Sequence, residues 1–249
     1  SGIGIYSVAM IVASFMAGLG LGSLLGGRLT VRVSPRQALR TFGLLELTIA
    51  AFGAASCGLY YDLLYLRGSW LYGTAWQAGA LHFLGLLLPT GLMGMTLPFL
   101  GRAFVRDVPS AGRTIGLLYG LNVLGAAAGA LVTPWLLIRF TGIRGAVLAA
   151  AAANAASGGT AVLLSFLRRD QADPTTLPSP VEAGGRAGAR ALVLWAVLYG
   201  LSGFIALSLE MLWFRVLDVA VKASAFAFGT LLALYLLGSA LGCLAVAVR

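Results

Sequence analysis

Long uncharged apolar runs, separated by short segments rich in arginine, dominate this sequence. A helix needs about 20 consecutive, mainly apolar residues to cross the hydrocarbon core of a bilayer, and these runs reach that length. Only 10% of the 249 residues are charged and the mean hydropathy is +0.93. In a soluble domain about a quarter of the residues are charged. The pattern therefore predicts an all-α polytopic membrane protein.

The apolar runs predict seven transmembrane helices. The only long polar stretch, residues 168–190, is rich in Pro, Gly, Ala and Thr and carries mixed charge, which is typical of a flexible linker. The linker divides a first helical part with five spans, residues 1–167, from the start of a second part with two, residues 191–249. The predicted spans are 4–27, 40–62, 74–99, 114–138, 143–167, 191–214 and 224–247.

Successive connecting segments are alternately rich and poor in basic residues. Segments 28–40, 101–113 and 168–190, with Arg249, hold twelve of them, and the opposite side holds five. The positive-inside rule places the richer set in the cytoplasm and Ser1 outside, in a bacterial-type inner (plasma) membrane. The net charge of +9 is then explained by topology and contact with anionic lipid, and we expect no nucleic-acid partner.

One apolar pattern occurs twice, at a constant offset of 220 residues. Each copy contains Gly-x-x-x-Gly, a spacing that lets two helix backbones approach closely in lipid. The duplication predicts two structural halves; the alternative is chance similarity between helices rich in Gly, Ala and Leu. Ala13, Gly18, Leu21, Gly22 and Leu24 recur as Ala233, Gly238, Leu241, Gly242 and Leu244.

If the halves are equivalent, a counterpart of the sixth span belongs before Ser1, and the sequence is expected to be incomplete at both ends. Six spans, a cytoplasmic linker and a second set of spans resemble the plan of the major facilitator superfamily. The segment from Gly22 to Arg36 also resembles the loop between that superfamily's second and third helices. The family's Asp is missing, because Leu29 and Thr30 follow the Gly-Arg pair.

Three further segments, 88–100, 116–129 and 201–217, together with the duplicated glycine pattern, resemble the membrane part of fused spermidine-synthase-like proteins. In that family a facilitator-like helical region precedes a soluble domain that resembles polyamine aminopropyltransferases. The nucleotide-binding glycines and catalytic acids of the soluble domain have no counterpart here. The resemblance therefore implies a non-catalytic membrane domain, with any transferase activity residing in a soluble domain outside this sequence.

Ionisable residues inside spans are functional candidates because they are costly in lipid. Glu46, two turns into the second span, is either an interfacial carboxylate that is protonated or paired with an arginine of loop 28–40, or a proton or cation site. His82 lacks a second ligand at i+3 or i+4, so we expect no metal there; it either bonds a neighbouring helix or takes part in substrate or proton binding. Asn122, between two glycines, is typical of an interhelical hydrogen bond.

Glu210 and Arg215 form the remaining candidate pair. Residues at i and i+5 are about 140° apart around a helix, so the two side chains do not stack. Glu210 either pairs with another helix or lines a cavity that accepts a cation, and a polyamine would suit the family resemblance. No catalytic set, metal site or cofactor site is predicted. The glycines are assigned to helix packing: Gly18, Gly22, Gly120, Gly125, Gly129, Gly238 and Gly242.

Two functions remain open. In the first, this membrane domain anchors a fused or associated soluble domain and binds or moves a small cationic solute. In the second, it is a structural accessory subunit that packs against other helices or subunits of a larger membrane complex. The direction of the glycine faces distinguishes them: faces that meet around a polar cavity favour transport, and faces directed outward favour packing against foreign helices.

Overall fold

The computed structural model describes residues 5–60, 74–105, 107–168 and 225–248, together with helical residues at 193, 197–198, 200–205, 208–209 and 212. In these ranges the backbone is helical and contains no strand, which confirms the all-helical prediction. The long helices are α1 (Ile5–Thr30), α2 (Pro35–Cys57), α3 (Ala75–Phe104), α4 (Val108–Val132), α5 (Arg139–Leu167) and α6 (Ala225–Val248), with a π-helical turn, Thr133–Ile138, joining α4 to α5.

Five helical segments of the described chain are long and apolar enough to cross a membrane, as expected for a multi-pass protein. One of them, Pro109–Leu167, contains both the fourth and the fifth predicted spans. The sixth predicted span lies largely outside the described residues. The count of seven spans and the facilitator-like arrangement therefore stay predictions.

Side-chain caps determine where three helices begin. Ser34 and Gln37 form a capping box at the start of α2, with Pro35 as its first residue, so α2 begins five residues before the predicted boundary at 40. Thr74 and Gln77 form the same motif at α3. Asp107 caps α4 by accepting a hydrogen bond from the Ser110 backbone, N to Oδ1 2.8 Å. The short loops that result hold the helix ends close together.

The long helical segment bends at Gly142. Its backbone has φ 70° and ψ −178°, a conformation that only glycine adopts without strain. Gly142 lies in the predicted connection between the fourth and fifth spans, residues 139–142. The chain therefore changes direction there, at a non-helical residue between two helices.

The helices pack mainly in pairs. α1 lies against α3, α2 lies against both α3 and α5, and α4 lies against α6. Near the loop between α1 and α2, a buried apolar cluster joins α2, α3 and α5; it consists of Ala38, Leu39, Phe99, Ala103 and Ala161. α6, from the predicted second part, packs on α4 of the first.

Most of each helix surface remains uncovered. In the most apolar window of each candidate span, only 17–22% of the residues are buried within the described chain. Each helix therefore leaves apolar faces for lipid or for further helices.

Candidate functional site

The contact between α1 and α3 is built from backbone rather than from large side chains. α1 buries Ser14, Gly18, Gly22 and Gly26, spaced four residues apart along one face. A Cβ at Gly18 would overlap the Thr90 side chain, and a Cβ at Gly22 would overlap the Gly91 carbonyl. One at Gly26 would lie 3.1 Å from the Met95 Cα. The absence of side chains on this face allows the two backbones to touch.

Polar side chains in this contact bond within their own helices. The Ser14 hydroxyl donates to the Met10 carbonyl, Oγ to O 2.7 Å, and the Thr90 hydroxyl donates to the Leu86 carbonyl, Oγ1 to O 2.7 Å. Both side chains are buried. Their hydrogen-bonding capacity is satisfied locally, so the α1–α3 contact depends on close packing rather than on interhelical hydrogen bonds.

α6 packs on α4 through a different spacing. Its buried face consists of Gly229, Ala233, Ala240 and Ala247. On the α4 side, a Cβ at Gly120 would lie 2.9 Å from the Leu244 Cδ2, and one at Gly116 would lie 3.2 Å from the Ala247 Cβ. The Trp135 indole adds a hydrogen bond to α6, Nε1 to the Thr230 Oγ1 3.2 Å. Ala233, Ala240 and Ala247 recur at intervals of seven residues, whereas the buried residues of α1 recur at intervals of four.

The two copies of the repeat bury different faces. The counterparts of Ser14, Gly18, Gly22 and Gly26 in α6 are 234, 238, 242 and 246, and all four are exposed. Conversely, Ala233, Ala240 and Ala247 correspond to exposed positions 13, 20 and 27 of α1. Positions 233 and 238 are about 140° apart around a helix. The face that α1 buries is therefore the face that α6 leaves exposed.

The exposed α6 face, defined by Leu234, Gly238, Gly242 and Val246, has no close neighbour in the described part of the chain. No described atom lies within 4 Å of a Cβ added at Gly238 or Gly242. The same holds for Gly125 and Gly129 on α4, whereas Gly120 lies in the α6 contact. Of the seven glycines assigned to packing, Gly18, Gly22 and Gly120 make close helix contacts among these residues.

Glu46 lies on α2. Because α2 begins at Pro35, five residues before the predicted span, Glu46 is about 16 Å, or three turns, from the first residue of the helix. It is partly buried beside α5, where a Cβ at Gly158 would lie 3.0 Å from the Glu46 Cβ and 2.7 Å from the Gly43 carbonyl oxygen. Among the described residues, its carboxylate has no hydrogen-bond or ion-pair partner, loop 28–40 included. The carboxylate could therefore accept a proton or a cation.

The remaining predicted site residues do not join Glu46. His82 is exposed on α3 and Asn122 is exposed on α4, and no hydrogen bond connects any two of these three residues within the described chain. Gln77, five residues before His82, belongs to the α3 capping box. Glu210 and Arg215 lie outside the described residues. In the described ranges no group of three His, Cys, Asp or Glu residues could hold a metal ion.

Arginines tie helix ends together, a role that their positions in predicted loops did not reveal. The Arg102 Nε donates to the Val33 carbonyl at 3.0 Å, and the Arg36 Nε donates to the Ser165 carbonyl at 2.9 Å. The first bond connects the α1–α2 loop to the C-terminal end of α3, and the second connects the first turn of α2 to the C-terminal end of α5. Sequence separations of 69 and 129 residues explain why no local pattern predicted them.

Curated relatives match about two thirds of the chain. A Streptomyces coelicolor protein named polyamine aminopropyltransferase 2 is 31% identical over 166 residues, covering 65% of this chain and 28% of that protein. A Mycobacterium tuberculosis protein named polyamine aminopropyltransferase is 31% identical over 173 residues, covering 66% of this chain and 30% of that protein. The chain thus spans less than a third of the length of these relatives.

No family model matches the chain, and no solved structure matches it. The named relatives confirm the predicted similarity to spermidine-synthase-like proteins. The assignment of the matched part to a facilitator-like membrane domain stays a prediction.

Proposed function

We propose that this chain is the transmembrane domain of a protein related to polyamine aminopropyltransferases, and that it is itself non-catalytic. Its function is to anchor that protein and to assemble with further membrane helices through the exposed α6 face. The observation that carries this proposal is the difference between the two repeat copies. Gly18 and Gly22 contact α3 at backbone distance, whereas Gly238 and Gly242 have no close neighbour among the described residues.

The energetic argument is the same for both copies. Lipid tails are as apolar as leucine, so helices associate in membranes through close packing, which small residues permit. α1 demonstrates that this pattern supports a close contact in this protein. An equivalent helix placed on α6 would gain the same van der Waals contacts, so the exposed face suits a helix better than it suits mobile lipid chains.

Gly242→Leu tests the proposal, with Gly159→Leu as its matched control, because neither glycine has a neighbour within 4 Å of an added Cβ. Each variant is purified in mild detergent from the native membrane with its full native polypeptide. Intact mass, co-purifying subunits and thermal midpoint are then measured. We expect Gly242→Leu to release a partner helix or to lower the midpoint, and Gly159→Leu to do neither. Identical behaviour of the two variants would show that the α6 face meets lipid.

A second candidate function, binding of a cationic solute, is favoured by Glu46. A carboxylate three turns into a membrane helix, partly buried and without a described ionic partner, is costly unless it binds a proton or a cation. A polyamine carries ammonium groups that a carboxylate recognises by charge and hydrogen bonding. The names of the relatives make a polyamine the first solute to test.

A further inference from the structure

Seven of the described arginines gather at one end of the helices. They lie at the C-terminal ends of α1, α3 and α5, at the N-terminal ends of α2 and α4, and in the loop between α1 and α2: Arg28, Arg32, Arg36, Arg40, Arg102, Arg113 and Arg168. The acid described at this end is Asp107, which caps α4. Arg139 and Arg144 are the described basic residues near the opposite end. The arginine-rich end therefore carries a large excess of positive charge.

Four of these arginines make contacts between different helices, or between a helix and the α1–α2 loop, at the arginine-rich end. Arg36 and Arg102 donate to backbone carbonyls, as described above. The Arg40 guanidinium lies 5.4 Å from the centre of the Phe166 ring, and the Arg168 guanidinium lies 5.7 Å from that of Phe104. With the capping box at α2, the Arg102 bond to Val33 holds the α1–α2 loop against α3, and the other contacts join the ends of α2, α3 and α5. Side chains at the end of α1 are thereby presented from a defined backbone.

Arg28 and Arg32 are different. They lie four residues apart, where α1 ends and its loop begins, and both are exposed. Within the described part of the chain, neither guanidinium group has a hydrogen-bond or ion-pair partner. Leu29 and Val31, which both lie between them in sequence, are 53% and 80% exposed. Two unpaired guanidinium groups beside exposed aliphatic side chains match a ligand with an anionic head and a hydrocarbon body.

We propose that Arg28 and Arg32 bind the phosphate group of an anionic phospholipid at the membrane surface. The planar guanidinium fork suits bidentate bonding to phosphate oxygens. Leu29 and Val31 contact the upper part of the acyl chains. A soluble phosphate would use the charges and leave the aliphatic residues in water, and for this reason the lipid is the ligand that fits. The site is independent of the exposed α6 face and of Glu46.

The test uses the full native protein in nanodiscs of equal parts phosphatidylglycerol and phosphatidylcholine. Lipids retained after extraction are counted by native mass spectrometry for the wild type, Arg28→Gln/Arg32→Gln and the charge-matched control Arg139→Gln/Arg144→Gln. One basic residue near the surface contributes roughly a fivefold change in affinity, so we expect about a 25-fold weaker retention of phosphatidylglycerol in the first variant. The control is expected to retain it like the wild type.

Two further measurements separate lipid binding from loss of folding and from binding of a soluble anion. Arg28→Lys/Arg32→Lys preserves charge and is expected to recover most of the retention; circular dichroism verifies folding of each variant. Inorganic phosphate and glycerol phosphate are added as soluble competitors. Equal loss in both Gln variants would overturn the proposal, as would unchanged retention in the first. Displacement of phosphatidylglycerol by either soluble competitor at equal concentration would assign the site to a soluble anion instead.

Discussion

Gly22 of α1 lies against the backbone of Gly91 of α3, so closely that a Cβ at position 22 would overlap the Gly91 carbonyl oxygen. The relationship is not symmetric. A Cβ at Gly91 would lie 3.9 Å from the nearest α1 atom, the Gly18 carbonyl oxygen, which is ordinary van der Waals contact. In the contact between α1 and α3, Gly91 therefore has space for a methyl group and Gly22 does not.

Gly22→Ala is expected to destabilise the protein by about 1–3 kcal/mol, because the helices must separate to admit the methyl group. Gly91→Ala places the same group in available space and gains helix propensity of up to about 1 kcal/mol. Thermal unfolding in detergent, followed by circular dichroism, measures both. If the two variants unfold at the same midpoint, the close contact between α1 and α3 does not contribute to stability.

Neighbouring glycines of α5 provide a second comparison. A Cβ at Gly158 would lie 2.7 Å from the Gly43 carbonyl oxygen, whereas one at Gly159 would meet no described atom within 4 Å. We expect Gly158→Ala to cost about 1–3 kcal/mol of stability and Gly159→Ala to be neutral or stabilising. Denaturation by increasing SDS fraction in mixed micelles reports both. Equal sensitivity of the two variants would contradict the packing of α2 on α5.

Gly142 has a positive φ within the long helical segment, and no described atom lies within 4 Å of an added Cβ. Space is therefore available for a methyl group, and the backbone conformation is the obstacle. Gly142→Ala is expected to cost about 1–3 kcal/mol through strain alone. Gly112→Ala, in open space on α4, is its control and is expected to be neutral or stabilising. A midpoint for Gly142→Ala that matches the control would mean that the bend at Gly142 is absent.

Glu46→Gln removes the charge with almost no change in size. If Glu46 binds a cationic solute, affinity for spermidine is expected to fall at least about tenfold, since a desolvated charge pair is worth more than about 1.4 kcal/mol. Isothermal titration with the full native protein in nanodiscs measures the affinity. Asp107→Asn is the control, because asparagine also caps helices and the charge change is the same. Unchanged spermidine affinity in Glu46→Gln, or an equal loss in the control, would exclude Glu46 as the site.

Several features of the fold could be predicted from local sequence. Apolar run length predicts helices of membrane length, because the bilayer sets the number of residues required. The predicted spans leave a connection at 139–142, and the bend at Gly142 lies within it. Boundaries were less accurate at α2, because the apolar pattern begins after the Ser34 cap and the amphipathic first turn of the helix was assigned to the loop.

The candidate site was predictable only in its residue types. Glu46 was identifiable as an ionisable group in an apolar run, but its position beside α5 depends on the packing of α2. Its neighbour Gly158 is more than a hundred residues away in sequence, so no local pattern relates the two. The same applies to the contact of Arg36 with Ser165, which joins two helix ends through the folded chain.

By itself, the sequence determined that the chain forms apolar helices of membrane length and that α1 and α6 carry the same glycine spacing. These properties follow from composition and periodicity within single segments. Only the tertiary structure decided which face each copy uses. Helix packing requires two complementary surfaces: α3 presents Thr90 and Gly91 to the glycines of α1, whereas α4 presents Gly116 and Gly120 to the opposite side of α6. The same pattern is therefore buried in one copy and exposed in the other because its neighbours differ.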